Sequence, residues 1–156
     1  MSEKPSNVKS TDSRIDLHIE ATGSRIRKAY ILACARHGAQ RIMRPIGQVN
    51  VVIVTDHKMA QLHREYMNLR GTTDVLTFDL TGDKGNRLDA DIYISLNRAK
   101  SQAKEQGVTL NEELARLAVH GVLHLAGFRD KSLTQKRQMR WMEEQSLAAA
   151  GRPNAP

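Results

Sequence analysis

The residues best suited to chemistry lie together in one short run of the chain. His120 and His124 stand four positions apart in His120-Gly-Val-Leu-His124-Leu-Ala-Gly127-Phe-Arg-Asp130. Both imidazoles therefore project from one face of a helix. Gly127 can end that helix in a left-handed turn, and Asp130 then offers a carboxylate as third ligand. Three protein ligands leave a fourth position open, which is typical of a catalytic zinc site.

Two core histidines are the alternative explanation of this spacing. From Leu117 to Phe128 the histidines are the only polar side chains, so the helix is predicted to be apolar nearly all round and buried. Buried imidazoles need polar partners, and one metal ion satisfies both. We therefore predict one zinc ion, bound by His120, His124 and Asp130.

A zinc ion in such a site activates water for attack on a peptide, an ester or a phosphodiester. The spacing is similar to that of extended zinc proteases, in which a glutamate directly after the first histidine acts as general base. Gly121 occupies that position here. Proteolysis is therefore a minor hypothesis, which requires another glutamate, such as Glu112, Glu113 or Glu143, to reach the site.

The elements that must position the site form a mixed series. Alternating or β-branched runs predict strands at residues 14–20, with Ile15, Leu17 and Ile19 facing inward, and at 48–55, 73–80 and 89–95. Helical spacing and capping signals predict helices at 24–37 (ending at Gly38), 55–66, 97–106, from a capping box at 109–112, and from a second box at 132–135 to about 149. This order predicts an α/β (α+β) fold, with helices packed on a mixed sheet.

Length and composition predict one globular domain over residues 12–150, between a disordered arm at 1–11 and a frayed tail at 151–156. Of the 156 residues, 40% are hydrophobic and 26% are charged. The only cysteine, Cys34, excludes an internal disulfide and is expected to be a buried thiol. Neither a signal peptide nor a membrane span is recognisable, so the cytoplasm is the expected compartment.

The charge of the chain favours a polyanionic partner. The formal net charge is +7, and such a surface attracts phosphate backbones without reading their sequence. Aromatic residues make up only 4% of the chain, which argues against extensive base stacking. Binding to RNA or DNA is therefore expected to depend on Lys and Arg contacts to phosphate.

Three segments resemble the YbeY family of bacterial endoribonucleases and rRNA maturation factors. The histidine run is similar to the family's H-G-x-L-H-L-x-G-Y-D-H. Upstream, residues 66–78 (Y-M-N-L-R-G-T-T-D-V-L-T-F) resemble its Y-R-x-x-x-x-P-T-D-V-L-S-F segment, and residues 91–95 (D-I-Y-I-S) resemble its G-D-I-x-I-S strand. The matches keep their order over residues 49–144, most of the predicted domain.

The chain departs from the family pattern at three positions. Asp130 replaces the usual third histidine, Met67 a usual arginine, and Thr72 a usual proline. A branch of the family with T-D-V-L-T-F-D and G-Y-K-D-K is similar in these respects, so the resemblance implies that Asp130 is a branch-specific ligand. The alternative is a loop aspartate that caps the helix beginning near Ser132.

The arginine absent at position 67 needs a substitute, because phosphoryl transfer requires positive charge near the phosphate oxygens. We assign Arg70 to this role, with Arg64, Arg129 and Lys131 as alternatives. Asp74 is interpreted either as a structural carboxylate that accepts backbone N–H groups or as a partner of a metal-bound histidine.

The resemblance implies a single α/β domain whose metal helix is related to that of zinc proteases. It also implies a zinc-dependent, single-strand endoribonuclease that acts in 16S rRNA 3′-end maturation and ribosome quality control. The partners that it implies are ribosomal RNA and the small ribosomal subunit, and it implies neither a membrane nor a small-molecule cofactor. The implied catalytic residues are His120, His124, Asp130 and Arg70. A non-catalytic ribosome-assembly factor with a structural metal is the alternative.

Overall fold

The computed structural model describes residues 14–66, 74–82 and 86–151. The arm predicted at 1–11 and residues 152–156 of the predicted tail lie outside these ranges. Within them, no helix is long and apolar enough to cross a membrane. The strands are β1 (Arg14–Ile19), β2 (Ile46–Val54), β3 (Val75–Asp79) and β4 (Leu88–Ser95), and the helices are α1 (Lys28–Ala39), α2 (Asp56–Glu65), α3 (Leu96–Gln106), α4 (Leu110–Leu125) and α5 (Leu133–Ala150).

The four strands form one mixed sheet in the order β1-β2-β4-β3. β1, β2 and β4 run parallel, whereas β3 pairs antiparallel with β4 and forms an edge. The predicted fold class is confirmed. Helices cover both faces of the sheet, which explains why Val51–Val54 of β2 are buried consecutively rather than alternately.

The two faces of the sheet carry different cores. On one face, α1 and α4 pack over alternate strand residues such as Leu17, Val51 and Ile92. On the other face, α2 contributes Met59 and Leu62 to a smaller cluster, together with Val52, Val54 and Leu76. Because α4 contacts both β3 and β4, it lies against the β3 edge of the sheet.

Three details of the predicted elements are wrong. Ile19 is 38% exposed at the end of β1, where the strand leaves the core. Gly38 lies inside α1 rather than after it, and a Cβ there would stand 3.0 Å from Val119 Cγ1 of α4. This glycine allows two helices to approach and does not end one. The helix also begins late, at Lys28, because the Arg27 backbone N–H donates to the Asn111 side chain of α4 at 2.7 Å.

The prediction of a buried structural thiol is confirmed. Cys34 is fully buried in α1. Burial raises the pKa of this thiol to about 11, against a smaller lowering effect from its hydrogen bond with Tyr30. A thiol with such a pKa remains protonated near neutral pH and is a poor nucleophile.

Candidate metal centre

The helix that carries both histidines is fixed at its two ends. At the start of α4, Thr109 and Glu112 form the predicted capping box, with bonds of 3.1 and 3.0 Å. At the end, Gly127 has φ +102°, its N–H donates to the His124 carbonyl at 2.9 Å, and the Phe128 N–H reaches the Leu123 carbonyl at 3.1 Å. These two bonds form a Schellman motif, which reverses the chain just after His124.

This reversal brings Asp130 back to the two histidines. Asp130 Oδ2 lies 3.5 Å from Nε2 of His120 and 3.5 Å from Nε2 of His124. One ligand atom from each residue lies within 4.8 Å of the others, as a shared metal ion requires. Asp130 does not cap the next helix, because the Ser132 side chain accepts the hydrogen bond from the Gln135 N–H. The capping alternative for Asp130 is therefore wrong.

The donor set fits a zinc ion. Bonds of about 2.0–2.1 Å in a tetrahedral site place neighbouring ligand atoms about 3.4 Å apart. Asp130 Oδ2 lies 3.5 Å from each histidine nitrogen, close to this separation. Two imidazole nitrogens and one carboxylate oxygen are a ligand combination that zinc accepts, and three ligands leave one position for substrate or solvent. The residues that would hold the ion are His120, His124 and Asp130.

The site is open rather than buried. The side chains of His120, His124 and Asp130 are 20%, 35% and 38% exposed, so the expectation of two buried imidazoles is wrong, although the helix around them is buried. The three residues line a cleft of 290 Å³ whose other wall is β3 with Asp74, Val75 and Thr77. A substrate can therefore reach the metal position.

A second cleft adjoins the first. It has a volume of 370 Å³, and His124 and Asp130 line both. Its other walls are the loop residues Gly127 and Phe128 together with Arg129 and Lys131, whose side chains are exposed. Positive charge therefore lies on one side of the site. Arg129 and Lys131 are two of the residues that the sequence analysis offered as alternatives to Arg70 for contact with phosphate.

Behind the site, His120 has a buried partner that the sequence analysis missed. Glu143 of α5, only 2% exposed, places Oε2 at 2.6 Å from Nδ1 of His120. Because a carboxylate only accepts hydrogen bonds, Nδ1 carries the proton, and the lone pair of Nε2 faces Asp130 and the cleft. Glu143 therefore orients His120 as a metal ligand.

The Glu143 carboxylate is held in turn by Arg116, one helical turn before His120. Arg116 donates to Glu143 Oε1 at 3.0 Å and from Nε to Glu113 Oε1 at 3.1 Å. Burial alone lowers the pKa of the Arg116 guanidinium, but the hydrogen bonds and negative charges of both glutamates together raise it above its usual value. Arg116 therefore stays charged and keeps Glu143 fixed.

We expect Glu143→Gln to weaken zinc binding about ten-fold, because outer partners of metal-bound histidines contribute on this scale. The amide keeps the size of the side chain but lacks the charge that favours the oriented imidazole. Affinity is measured by competition with a chromogenic chelator. Glu144→Gln is the matched control, because Glu144 is exposed on the same helix. Equal affinities of the two variants would contradict the role of Glu143.

The remaining predicted site residues lie in different places. Arg70 lies outside the described residues. Arg64 lies on α2, on the face of the sheet opposite α4. Asp74 stands in the cleft wall, and its Oδ2 accepts a hydrogen bond from Gln102 at 2.9 Å.

The glutamates that a protease would need point elsewhere. Glu112 completes the cap of α4, Glu113 pairs with Arg116, and Glu143 occupies the Nδ1 side of His120. None of the three lines the metal cleft. A Cβ at Gly121, the position of the protease base, would meet Ile92 Cγ2 at 2.7 Å. A side chain at this position would therefore push α4 away from β4.

Comparisons with known proteins show the family to which the chain belongs. The family model described as Endoribonuclease YbeY matches residues 7–151. Proteins with the same description are 42% identical over 105 residues in Carboxydothermus hydrogenoformans (67% of this chain, 73% of the relative) and 31% identical over 123 residues in Parabacteroides distasonis (79% and 85%). A Thermotoga maritima protein solved in solution has the same fold, with a TM-score of 0.57 at 22% identity, covering 87% of this chain and 88% of that one. The chain therefore belongs to the YbeY endoribonuclease family.

Proposed function

We propose that this protein is a zinc-dependent endoribonuclease that cleaves single-stranded RNA. The observation that carries the proposal is the convergence of His120, His124 and Asp130 in an open cleft beside two exposed cationic side chains. Membership of the YbeY family supports RNA as the substrate class and a phosphodiester as the bond cleaved.

Each part of the site has a proposed role. When bound, the ion supplies positive charge that stabilises a reacting phosphodiester. His120 and His124 hold the ion through neutral imidazoles, whereas Asp130 adds a negative charge and makes the ion less electrophilic than three imidazoles would. Arg70 is proposed to contact the phosphate in place of the family arginine that Met67 replaces. Arg129 and Lys131 attract the flanking phosphates.

The cellular role is proposed from the family resemblance. The protein would act in 16S rRNA 3′-end maturation and ribosome quality control in the cytoplasm, with ribosomal RNA and the small ribosomal subunit as partners. A net charge of +7 supports an RNA partner, because it favours association with a phosphate backbone. The test is whether depletion of the protein leaves precursor 16S rRNA with an unprocessed 3′ end.

The enzymatic proposal is tested at Asp130. We expect Asp130→Ala to lose bound zinc and to reduce cleavage of single-stranded RNA by at least about 100-fold, because the site keeps only two ligands. Metal content is measured by elemental analysis, and cleavage by gel assay with and without chelator. Asp16→Ala is the matched control, since Asp16 is an exposed aspartate of β1, at the opposite edge of the sheet from β3.

The same experiment separates the enzyme from a ribosome-assembly factor. If Asp130→Ala lowers only the folding stability and leaves pre-rRNA processing in cells unaffected, the metal is structural and the assembly factor replaces the enzyme. If chelation and Asp130→Ala abolish cleavage while the circular dichroism spectrum is retained, the metal serves catalysis.

A further inference from the structure

Two segments of the chain carry only positive formal charge. Residues 21–55 contain six Lys and Arg residues and no Asp or Glu, and residues 131–142 contain four and none. The first segment includes α1 and the second includes the first half of α5. These two helices pack against each other. The fold therefore gathers ten cationic side chains, more than the net charge of the whole chain, on neighbouring elements.

An exposed aromatic ring lies within this basic region. Trp141 is the only tryptophan of the chain, and it remains 55% exposed on α5. The Arg41 guanidinium lies over its ring, 5.5 Å from the centroid, within the range of a cation–π contact. Arg137 precedes Trp141 by four residues and shares its helix face, and Arg44 is exposed just beyond Arg41. We call Arg41, Arg44, Arg137 and Trp141 the tryptophan face.

The tryptophan face is distinct from the buried side of α5. That side is formed by Met139, Met142, Glu143 and Ser146, which are buried against the rest of the protein. Trp141 thus takes little part in the core, and its exposed surface is available for contact. An indole ring held in place by a guanidinium can stack on any nucleobase. The neighbouring arginines can contact the phosphates of the same strand.

Trp141 and the metal centre lie on consecutive segments of the chain. α5 begins at Leu133, directly after the loop that carries Asp130. At a rise of about 1.5 Å per residue, Trp141 lies about 14 Å along the helix from Ser132. Arg129 and Lys131 of the loop are exposed, and Arg137 is exposed on the helix face that it shares with Trp141. An RNA strand that leaves the cleft past Arg129 and Lys131 would therefore find further positive charge at Arg137, beside Trp141.

We propose that the tryptophan face binds a single-stranded stretch of the RNA substrate outside the cleft, with one base stacked on Trp141. This proposal rests on the proposed function, since it assumes an RNA substrate. Charge complementarity favours RNA over a protein partner, because the two segments that carry the face hold ten Lys and Arg residues and no Asp or Glu, and a phosphate backbone supplies a matching run of negative charge. Glu144 lies one helical turn after Trp141 and four residues after Arg140. Its carboxylate can therefore offset the charge of Arg140 rather than the charge of the tryptophan face.

Because Trp141 is the only tryptophan, its fluorescence reports stacking directly. The experiment titrates metal-free full-length His120→Ala protein, which we expect not to cleave, with a short unstructured oligoribonucleotide. We expect Trp141 emission to be quenched as RNA binds. Anisotropy of labelled RNA should show about ten-fold weaker binding for the additional change Trp141→Ala. Adding Arg137→Gln to the His120→Ala protein should remove one phosphate contact. The slope of log affinity against log salt should then become less steep by about 0.7.

The matched control is Lys104→Gln. Lys104 is an exposed cation on α3, and this helix packs on α2, α4 and β4. RNA binding without a change in Trp141 emission, or equal effects of Trp141→Ala and Lys104→Gln, would overturn the tryptophan face. Such a result would leave the proposed function standing if unmodified protein still cleaves RNA. Conversely, a Trp141 response combined with unmodified, zinc-loaded protein that does not cleave RNA would support the face and contradict the enzymatic proposal.

Discussion

Replacing His120 with alanine is expected to remove both metal binding and RNA cleavage. The effect on zinc affinity should exceed the roughly 10–100-fold loss typical of an outer partner, because the variant lacks a ligand itself. Equilibrium dialysis against zinc and a gel assay of single-stranded RNA measure the two quantities on the same protein. A metal-free His120→Ala protein with undiminished cleavage would show that the reaction does not need the ion.

His124→Ala is the matched control, because it also removes one imidazole ligand but deprives a different carboxylate of its partner. Without His120, the buried Glu143 Oε2 loses its hydrogen-bond partner, whereas His124 faces the half-exposed Asp130. We therefore expect His120→Ala to lower the unfolding free energy of the metal-free protein by about 1–3 kcal/mol more than His124→Ala does. Denaturant titration with chelator present measures this difference. Equal stabilities would argue that Glu143 does not depend on His120.

The metal ligands could be predicted from the sequence because they are local. His120, His124 and Asp130 lie within eleven residues, and the helical repeat with a left-handed turn at Gly127 decides where they point. The two capping boxes were recognisable for the same reason, since each involves residues three apart. Local stereochemistry limits such segments to few conformations.

The partner of His120 could not be predicted in the same way. Glu143 is 23 residues away on another helix, and its role depends on how α4 and α5 pack. A signal was nonetheless present. Met139, Met142, Glu143 and Ser146 have the spacing of a buried helix face, where an acidic residue needs a partner. That pattern identifies a buried carboxylate but does not say which group it contacts.

The local elements of the fold could be predicted from the sequence, but their long-range pairing could not. Alternation and β-branched runs located the strands within a few residues, and the mixed order of elements indicated the mixed sheet. The insertion of β4 between β2 and β3 depends on long-range pairing, which no local pattern specifies. Because a glycine in a helix interior is unfavourable, the sequence predicts that a helix ends at Gly38. Its reason, contact with Val119, is also long-range.

Gly121→Ala is expected to destabilise the protein by about 1–3 kcal/mol, although alanine favours helices over glycine by about 1 kcal/mol. The added Cβ would stand 2.7 Å from Ile92 Cγ2 and would force α4 away from β4. Chemical denaturation of the metal-free protein measures the change. Gly82→Ala is the control, because nothing lies within 4 Å of a Cβ at Gly82. A Gly121→Ala protein as stable as the wild type would mean that α4 and β4 do not constrain this position.

The steric origin of the effect can be separated from other causes by a double-mutant cycle. Ile92→Ala removes the Cγ2 atom that the new Cβ would meet, so its cavity should absorb part of the overpacking, and the two costs should not add. Gly121→Glu would restore the protease pattern H-E-x-x-H, yet it places a longer, charged side chain against the same β4 residue. We expect this variant to unfold rather than to acquire peptidase activity. The contact between α4 and β4 therefore keeps this metal helix from carrying the protease base.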